Sequence, residues 1–418
     1  MKFALLGSDD ATLRLVQAIA ADSAHEVVAV YGAEQHQRTL FDLAPGASFD
    51  TDWEPVIHEP VADAIIVARQ TPWEDRNDVL RKLFQCDLPL LIVHPACEAI
   101  VAFELEMIRE DRQGLVLPFV PGQHSAAYRT ATQLVSGQQT ALGELKQVVV
   151  ERTMATTSRP VVLDQVAHDV SLMRPFLKTV RRVSAMAPNA DATTLADLTV
   201  NMTGESGLLG RWNVSHAGQH ETAQLKLVGA AATAVLNISA DPDQWSLTVE
   251  GQSQATETDD PVPDASAMLQ AFAQLVEKPT ADTAWMAASR DIEVADTVEH
   301  SLRRGKTLEL HQEQLSEENT FKGMMAAGGC FLLLITLAIL VVGSVFEGVQ
   351  RPLSYRPSEA DQTSDTSPDE PADATADAKR PGRALWIRLW PAYPFAIFLA
   401  LQGFRLVFIA PRATSDKR

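Results

Sequence analysis

From Met324 to Phe346 the chain runs 23 residues without a charged side chain (MMAAGGCFLLLITLAILVVGSVF). As a helix this run would be about 35 Å long, enough to cross a hydrocarbon core of about 30 Å. Lys322 and Glu347 bracket it, and a core helix of this length would normally carry a polar face. The run therefore predicts a transmembrane helix over 324–346. A second apolar stretch, 389–409, predicts a further transmembrane helix, with a membrane-lying helix as the alternative. Its Pro391 and Pro394 fall in the first turns, where proline is tolerated. Arg405 would have to snorkel to the interface, and Trp386, Trp390 and Tyr393 resemble an interfacial aromatic belt. Between the two, residues 347–385 are rich in Pro, Asp, Ser and Thr and predict a disordered acidic loop. Basic residues flank the first run on both sides, so charge does not orient the pair. The apolar start of the chain is cut short by Asp9 and Asp10 and is no export signal. The expectation is a protein whose partner is the lipid bilayer, with its large N-terminal part in the cytoplasm.

The sequence before this anchor is long enough for more than one folding unit, and 46% of the 418 residues are apolar. A formal net charge of −19 argues against nucleic acid as a partner, because phosphate binding needs clustered Lys and Arg. Three cysteines, Cys86, Cys97 and Cys330, make neither a disulfide framework nor a CxxC metal motif. No metal site is expected, and His94-Pro95-Ala96-Cys97 offers too few ligands for one.

Lys2 to Gly7 reads as a short buried strand ending at a glycine. A helix follows over Ala11 to Ala21, with Leu13, Val16 and Ile19 at helical spacing. His25 to Tyr31, Ala62 to Ala68 and Leu88 to Val93 are further strands, with a helix from Asp75 to Phe84 before the last. Near-continuous apolar strands alternating with helices indicate a Rossmann-like, doubly wound parallel sheet over 1–120. The phosphate loop departs from the dinucleotide fingerprint: Gly7-Ser8-Asp9-Asp10-Ala11-Thr12 keeps one glycine and sets two carboxylates where a diphosphate would approach.

Beyond residue 120 the pattern changes to short β-prone stretches, 145–153, 197–203, 210–216, 223–228, 234–239 and 245–250. Their short connections predict an α+β domain with a mainly antiparallel sheet over 121–312. Asp264 is placed to cap a helix whose apolar face holds Met268, Leu269, Phe272, Leu275 and Val276.

Five segments in order resemble the Gfo/Idh/MocA family of oxidoreductases. They are the first strand and its glycine, Leu90-Leu-Ile-Val-His94-Pro95, Gly114-Leu-Val-Leu-Pro-Phe with the junction through Leu145, Leu163-Asp164-Gln-Val-Ala-His168, and Ser301-Leu-Arg-Arg-Gly305-Lys-Thr-Leu-Glu-Leu310. The resemblance covers almost all of the chain before the anchor. It implies NAD(P)-dependent hydride transfer on a sugar, polyol or related alcohol, with NAD or NADP as cofactor. The catalytic positions it implies are His94, in place of the family's lysine, with Asp164 and His168. The cofactor-binding positions are Gly7, Ser8, Ala68 and Pro95. A homo-oligomer is also implied, through the open face of the second sheet.

Histidine exchanges protons near neutral pH, although its side chain is shorter than that of lysine. Asp164 and His168 are four residues apart and would share a helix face, so they are expected to form a hydrogen-bonded pair. Such a pair is equally compatible with a helix cap and a structurally satisfied histidine. Two functions stay open. One is a membrane-anchored oxidoreductase with an altered active site. The other is a noncatalytic descendant that binds a ligand or partner at the membrane, favoured by the degenerate loop and the missing lysine.

Overall fold

In a computed structural model of the protein, residues 1–310 are described apart from 59–60, 70–72, 74, 137–141, 218–220, 251, 254–261 and 279–283. The expected transmembrane helices at 324–346 and 389–409, and the loop 347–385, lie outside the described residues. Among the described residues no helix is long and apolar enough to cross a membrane.

Among the described residues of the first 120 there are six strands: β1 (Lys2–Leu6), β2 (Glu26–Tyr31), β3 (Ser48–Asp50), β4 (Ala64–Val67), β5 (Leu90–Val93) and β6 (Val116–Phe119). Helices α1 (Asp10–Ala21), α2 (Gln37–Leu43), α3 (Pro55–His58), α4 (Arg76–Phe84) and α5 (Ala99–Arg112) connect them. All five pairings are parallel, in the order β3-β2-β1-β4-β5-β6. The order reverses between β1 and β4, which opens a crevice at their C-terminal ends.

Side chains alternate across the pleat, and here both faces are covered. Phe3 and Leu5 pack with Leu15, Val16 and Ile19 of α1, while Ala4 and Leu6 face Leu80, Leu83 and Leu105 of α4 and α5. This is why the strands read as unbroken apolar runs rather than as alternating ones.

The rest of the described chain adds α6 (Ala126–Ser136), β7 (Leu145–Met154), α7 (Arg159–Leu177), β8 (Val180–Met186), β9 (Leu198–Gly204) and β10 (Leu209–His216). It continues with β11 (Thr222–Gly229), β12 (Thr233–Ile238), β13 (Ser246–Val249), β14 (Gln252–Ser253), α8 (Asp264–Glu277), α9 (Ala284–Arg304) and β15 (Leu308–Glu309). The nine strands form one sheet, β14-β13-β12-β11-β7-β10-β9-β8-β15. It is antiparallel except for the central pair β7 and β10, which run parallel over eight residue pairs.

The first sheet lies wholly within residues 1–120 and the second wholly beyond them, but two helices cross that division. Met268, Leu269 and Phe272 of α8 belong to the core over β1 and α1, and Trp285 and Ile292 of α9 belong to the core on the opposite face of the parallel sheet. Phe272 and Trp285 are almost fully buried, each worth roughly 1.5–3 kcal/mol in water-excluded area. Asp264 does not cap α8 as the sequence predicts. It is the first residue of that helix, and its carboxylate accepts from the Gly122 N–H (2.9 Å) and the His124 N–H (2.8 Å). The chain leaving β6 is thereby tied to the start of α8. Gly122, at φ 92°, lies so close to Trp245 that an added Cβ would sit 2.0 Å from the indole ring.

Candidate functional site

The chain leaves β1 through Gly7, whose φ of 74° suits a residue without a Cβ. Its N–H donates to the Tyr31 carbonyl at 2.8 Å, and the buried Ser8 hydroxyl lies 3.1 Å from His36 Nδ1. Asp9 caps α1 in a reciprocal capping box: Oδ1 accepts from the Thr12 N–H and the Thr12 hydroxyl accepts from the Asp9 N–H, both at 2.8 Å. The second carboxylate oxygen, Oδ2, accepts from the Arg69 backbone N–H at 2.6 Å. Arg69 follows Ala68, whose own N–H donates to the Leu6 carbonyl at 2.9 Å. One carboxylate thus joins the loops after β1 and β4 across the switch point of the sheet.

A cleft of about 400 Å³ opens in front of this edge. Asp9, Asp10, Arg14, His36 and Arg69 line one side, and Pro121, Arg152, Gln165, His168 and the segment from Ile238 to Trp245 contribute the other.

The second side is organised by a residue that the sequence reading passed over. Asp169, on α7, is fully buried and carries four partners. Arg152 grips it through Nε and Nη2, the Trp212 indole donates to Oδ2 at 2.7 Å, and Gln165 donates to Oδ1 at 3.1 Å. His168 Nδ1 lies 3.1 Å from the same Oδ1. Burial opposes ionisation of Asp169, but the Arg152 guanidinium and the bonds from His168 and Arg152 outweigh it and hold the carboxyl well below the usual range. With Nδ1 turned to a carboxylate, Nε2 is the second ring nitrogen, 3.2 Å from the carbonyl of Pro121 in the cleft wall.

The expected Asp164–His168 pair does not form. The Asp164 side chain is exposed on α7 and has no hydrogen bond among the described residues, while His168 turns to its chain neighbour. The physical reason is the anchor available to each: Asp169 is fixed by Arg152 and Trp212, whereas Asp164 has no such support.

His94 is not in the cleft wall. It stands at the end of β5, 1% exposed, in a cis peptide with the buried Pro95. Ser171 donates to Asp291 at 2.6 Å, so its oxygen is left to accept from His94 Nε2 at 3.0 Å. The proton is then on Nε2, and Nδ1 is buried without a partner among the described residues. Burial, with His168, Arg174 and Arg69 nearby, pushes the imidazole down to about 3, so it is neutral. Asp291 is pushed up to about 6, chiefly by burial, against Arg174 and the Ser171 bond. Burial also pushes the Cys97 thiol up to about 12, which leaves it inert as a nucleophile. Among the described residues no group of three or more metal-ligating side chains comes together.

Of the expected residues, His168 alone lines the cleft; Gly7, Ser8 and Ala68 are buried in the chain just after β1 and β4, and His94 and Pro95 are buried at the end of β5. Arg14, Arg69, Arg152 and Asp169 went unnoticed in the sequence. A signal existed for Arg152: it continues the inward face of β7 set by Val148 and Val150, where a charge needs a buried partner.

The same two-sheet arrangement occurs in solved oxidoreductases. A myo-inositol dehydrogenase from Corynebacterium glutamicum superposes with a TM-score of 0.60 at 18% identity, covering 75% of this chain and 99% of that one. The chain has the Gfo/Idh/MocA fold. Other structures with this fold include GenD2 from gentamicin A biosynthesis, solved with NAD, at a TM-score of 0.60 and 15% identity over 74% of this chain and 96% of its own. An aldose-aldose oxidoreductase from Caulobacter crescentus, solved with glycerol, has a TM-score of 0.62 at 13% identity over 74% and 99%. No protein-family profile and no curated protein sequence matches this chain. At these identities the Gfo/Idh/MocA likeness is one of fold.

Proposed function

We propose that the protein is an NAD(P)-dependent oxidoreductase with an altered active site, acting on a sugar, polyol or related alcohol. The observation that carries this reading is His168, oriented by the buried Asp169 cluster, in the wall of a cleft at the switch point of the parallel sheet. The fold neighbours are dehydrogenases and sugar oxidoreductases.

The crevice residues fit the diphosphate of a dinucleotide, provided that the Asp9 side chain turns away. Gly7 gives the turn, the Ala11 N–H in the first turn of α1 has no partner within the helix, and Arg14 and Arg69 line the same cleft. When bound, NAD or NADP supplies the hydride acceptor or donor. The chain's own residues do the rest. His168 exchanges the hydroxyl proton through Nε2, while Asp169 holds Nδ1 and fixes the ring. Arg152 and Trp212 act on His168 only through Asp169. His94, neutral and enclosed, is a positioning residue under α7 rather than a replacement for the family's lysine.

A second reading, a noncatalytic ligand- or partner-binding protein, is favoured by the Asp9 carboxylate at the helix terminus and by the enclosure of His94. The two readings are separated by titrating NADH and NADPH into the full-length protein and assaying NAD(P)⁺ reduction with polyols and aldoses. Saturable binding with turnover supports the oxidoreductase. A folded protein that binds neither cofactor would remove it and leave the second reading.

Attachment to the bilayer through 324–346 and 389–409, with the N-terminal part in the cytoplasm, belongs to the same proposal. Sedimentation with membranes, release by detergent alone and protection from external protease in sealed cells would support it. Release by salt would contradict it. A homo-oligomer through the open face of the second sheet is expected by the same resemblance, and sedimentation velocity in detergent tests it.

A further inference from the structure

We propose that Asp9 is an internal competitor for the ligand's phosphate: its carboxylate latches the crevice shut, and a dinucleotide enters only by displacing it. The inference rests on the reading of the crevice as a dinucleotide site.

An ordinary helix cap uses one side-chain oxygen on its own helix. Asp9 uses both, and they bridge two loops: Oδ1 on the Thr12 N–H of α1, and Oδ2 on the Arg69 N–H after β4. These are backbone donors of the kind that hold a phosphate at a helix terminus. A carboxylate and a phosphate oxygen are interchangeable acceptors for them, and both are anions, so occupation by one excludes the other. On its other flank the same loop is held to the chain after β2 by the contact between the Ser8 hydroxyl and His36. The loop after β1 is therefore fastened to both neighbouring loops.

The cations of the cleft do not neutralise this anion. Among the described residues neither Arg14 nor Arg69 forms a salt bridge, and Arg14 Nε is buried without a partner. Arg14 Nη1 reaches only the Ala240 carbonyl, at 3.5 Å. Both guanidinium groups remain to take up the displaced carboxylate or the incoming phosphate. Asp10, the next residue, also lines the cleft but has no side-chain hydrogen bond among the described residues. It contributes charge without the latch, which makes it the internal control.

Full-length wild-type protein and its Asp9→Asn and Asp10→Asn variants, titrated with NADH and NADPH, test the latch. Asparagine caps a helix as well as aspartate does, so α1 is retained, and thermal unfolding verifies this. Its single acceptor oxygen cannot serve both N–H groups, and its charge is gone. Asp9→Asn is expected to bind at least about tenfold more tightly than wild type, the worth of one charge-assisted hydrogen bond. Asp10→Asn is expected to change affinity by less than about threefold, as a screened surface charge does. Equal gains in both variants would reduce the effect to general charge and overturn the latch. Binding by wild type with no gain in Asp9→Asn would also overturn it, while leaving the dinucleotide reading intact. No binding by any of the three folded proteins would overturn both.

Discussion

His94 and His168 are two histidines that the sequence places in one active site, yet they sit in opposite surroundings. His168 faces an ionised carboxylate with one nitrogen and the cleft wall with the other. His94 is sealed between β5 and α7, bonded through a serine to a carboxyl group and neutral. The difference lies in what holds each carboxylate. Asp169 has Arg152 in direct contact, whereas Asp291 has Arg174 at 3.4 Å and relies on Ser171 for its closest bond. A histidine becomes a proton carrier through access and an anchored partner, and residue type alone does not provide either.

The contrast predicts unequal responses to substitution. Asp169→Ala has the largest expected effect, about 3–5 kcal/mol of lost stability by denaturant unfolding, because it strands a half-buried Arg152 and an indole N–H. A loss below about 1 kcal/mol, the range of a surface pair, would erase the distinction between the two clusters. Asp291 gives a pH signature. Its folded value of about 6 lies above the ordinary 3.8, so the fold favours the protonated form. Its contribution is complete below pH 3.8 and lost as pH rises through about 6, on the order of 3 kcal/mol in all. Asp291→Asn should flatten that part of the stability profile, and an unchanged profile would mean that Asp291 titrates in the fold as it does in the unfolded chain. Trp212→Phe removes one donor from Asp169 while Arg152 remains, and is expected to lose about 1–3 kcal/mol. His94→Gln should change stability least, by about 1 kcal/mol or less, since the histidine already carries an unpartnered Nδ1.

Much of the fold was legible because periodicity follows burial. The β1, β4 and β5 runs are apolar on both faces, and β7 and β9 to β13 match the expected stretches within one or two residues, whereas β8, β14 and β15 were not expected. What escaped notice were interactions between distant residues. Helix α9 covers part of the parallel sheet from nearly 200 residues away, as the bond from Trp285 to Ala102 across 183 positions illustrates. No local pattern encodes such a return. The site shows the same limit. Asp9 stood out as an anomaly in the phosphate loop, but its grip on Arg69 required the β4 loop to be in place. The choice of Asp169 over Asp164 depended on Arg152 and Trp212, which reach it from two other strands.

The most direct measurement is the turnover of His168→Gln and His94→Gln side by side, with NAD(P)⁺ and an oxidisable polyol, in variants shown to be folded. If His168 exchanges the substrate proton, its replacement lowers kcat by about 100-fold or more, while His94→Gln stays within about tenfold of wild type. A larger loss at His94 than at His168 would contradict the assignment and return the proton-exchange role to the buried histidine.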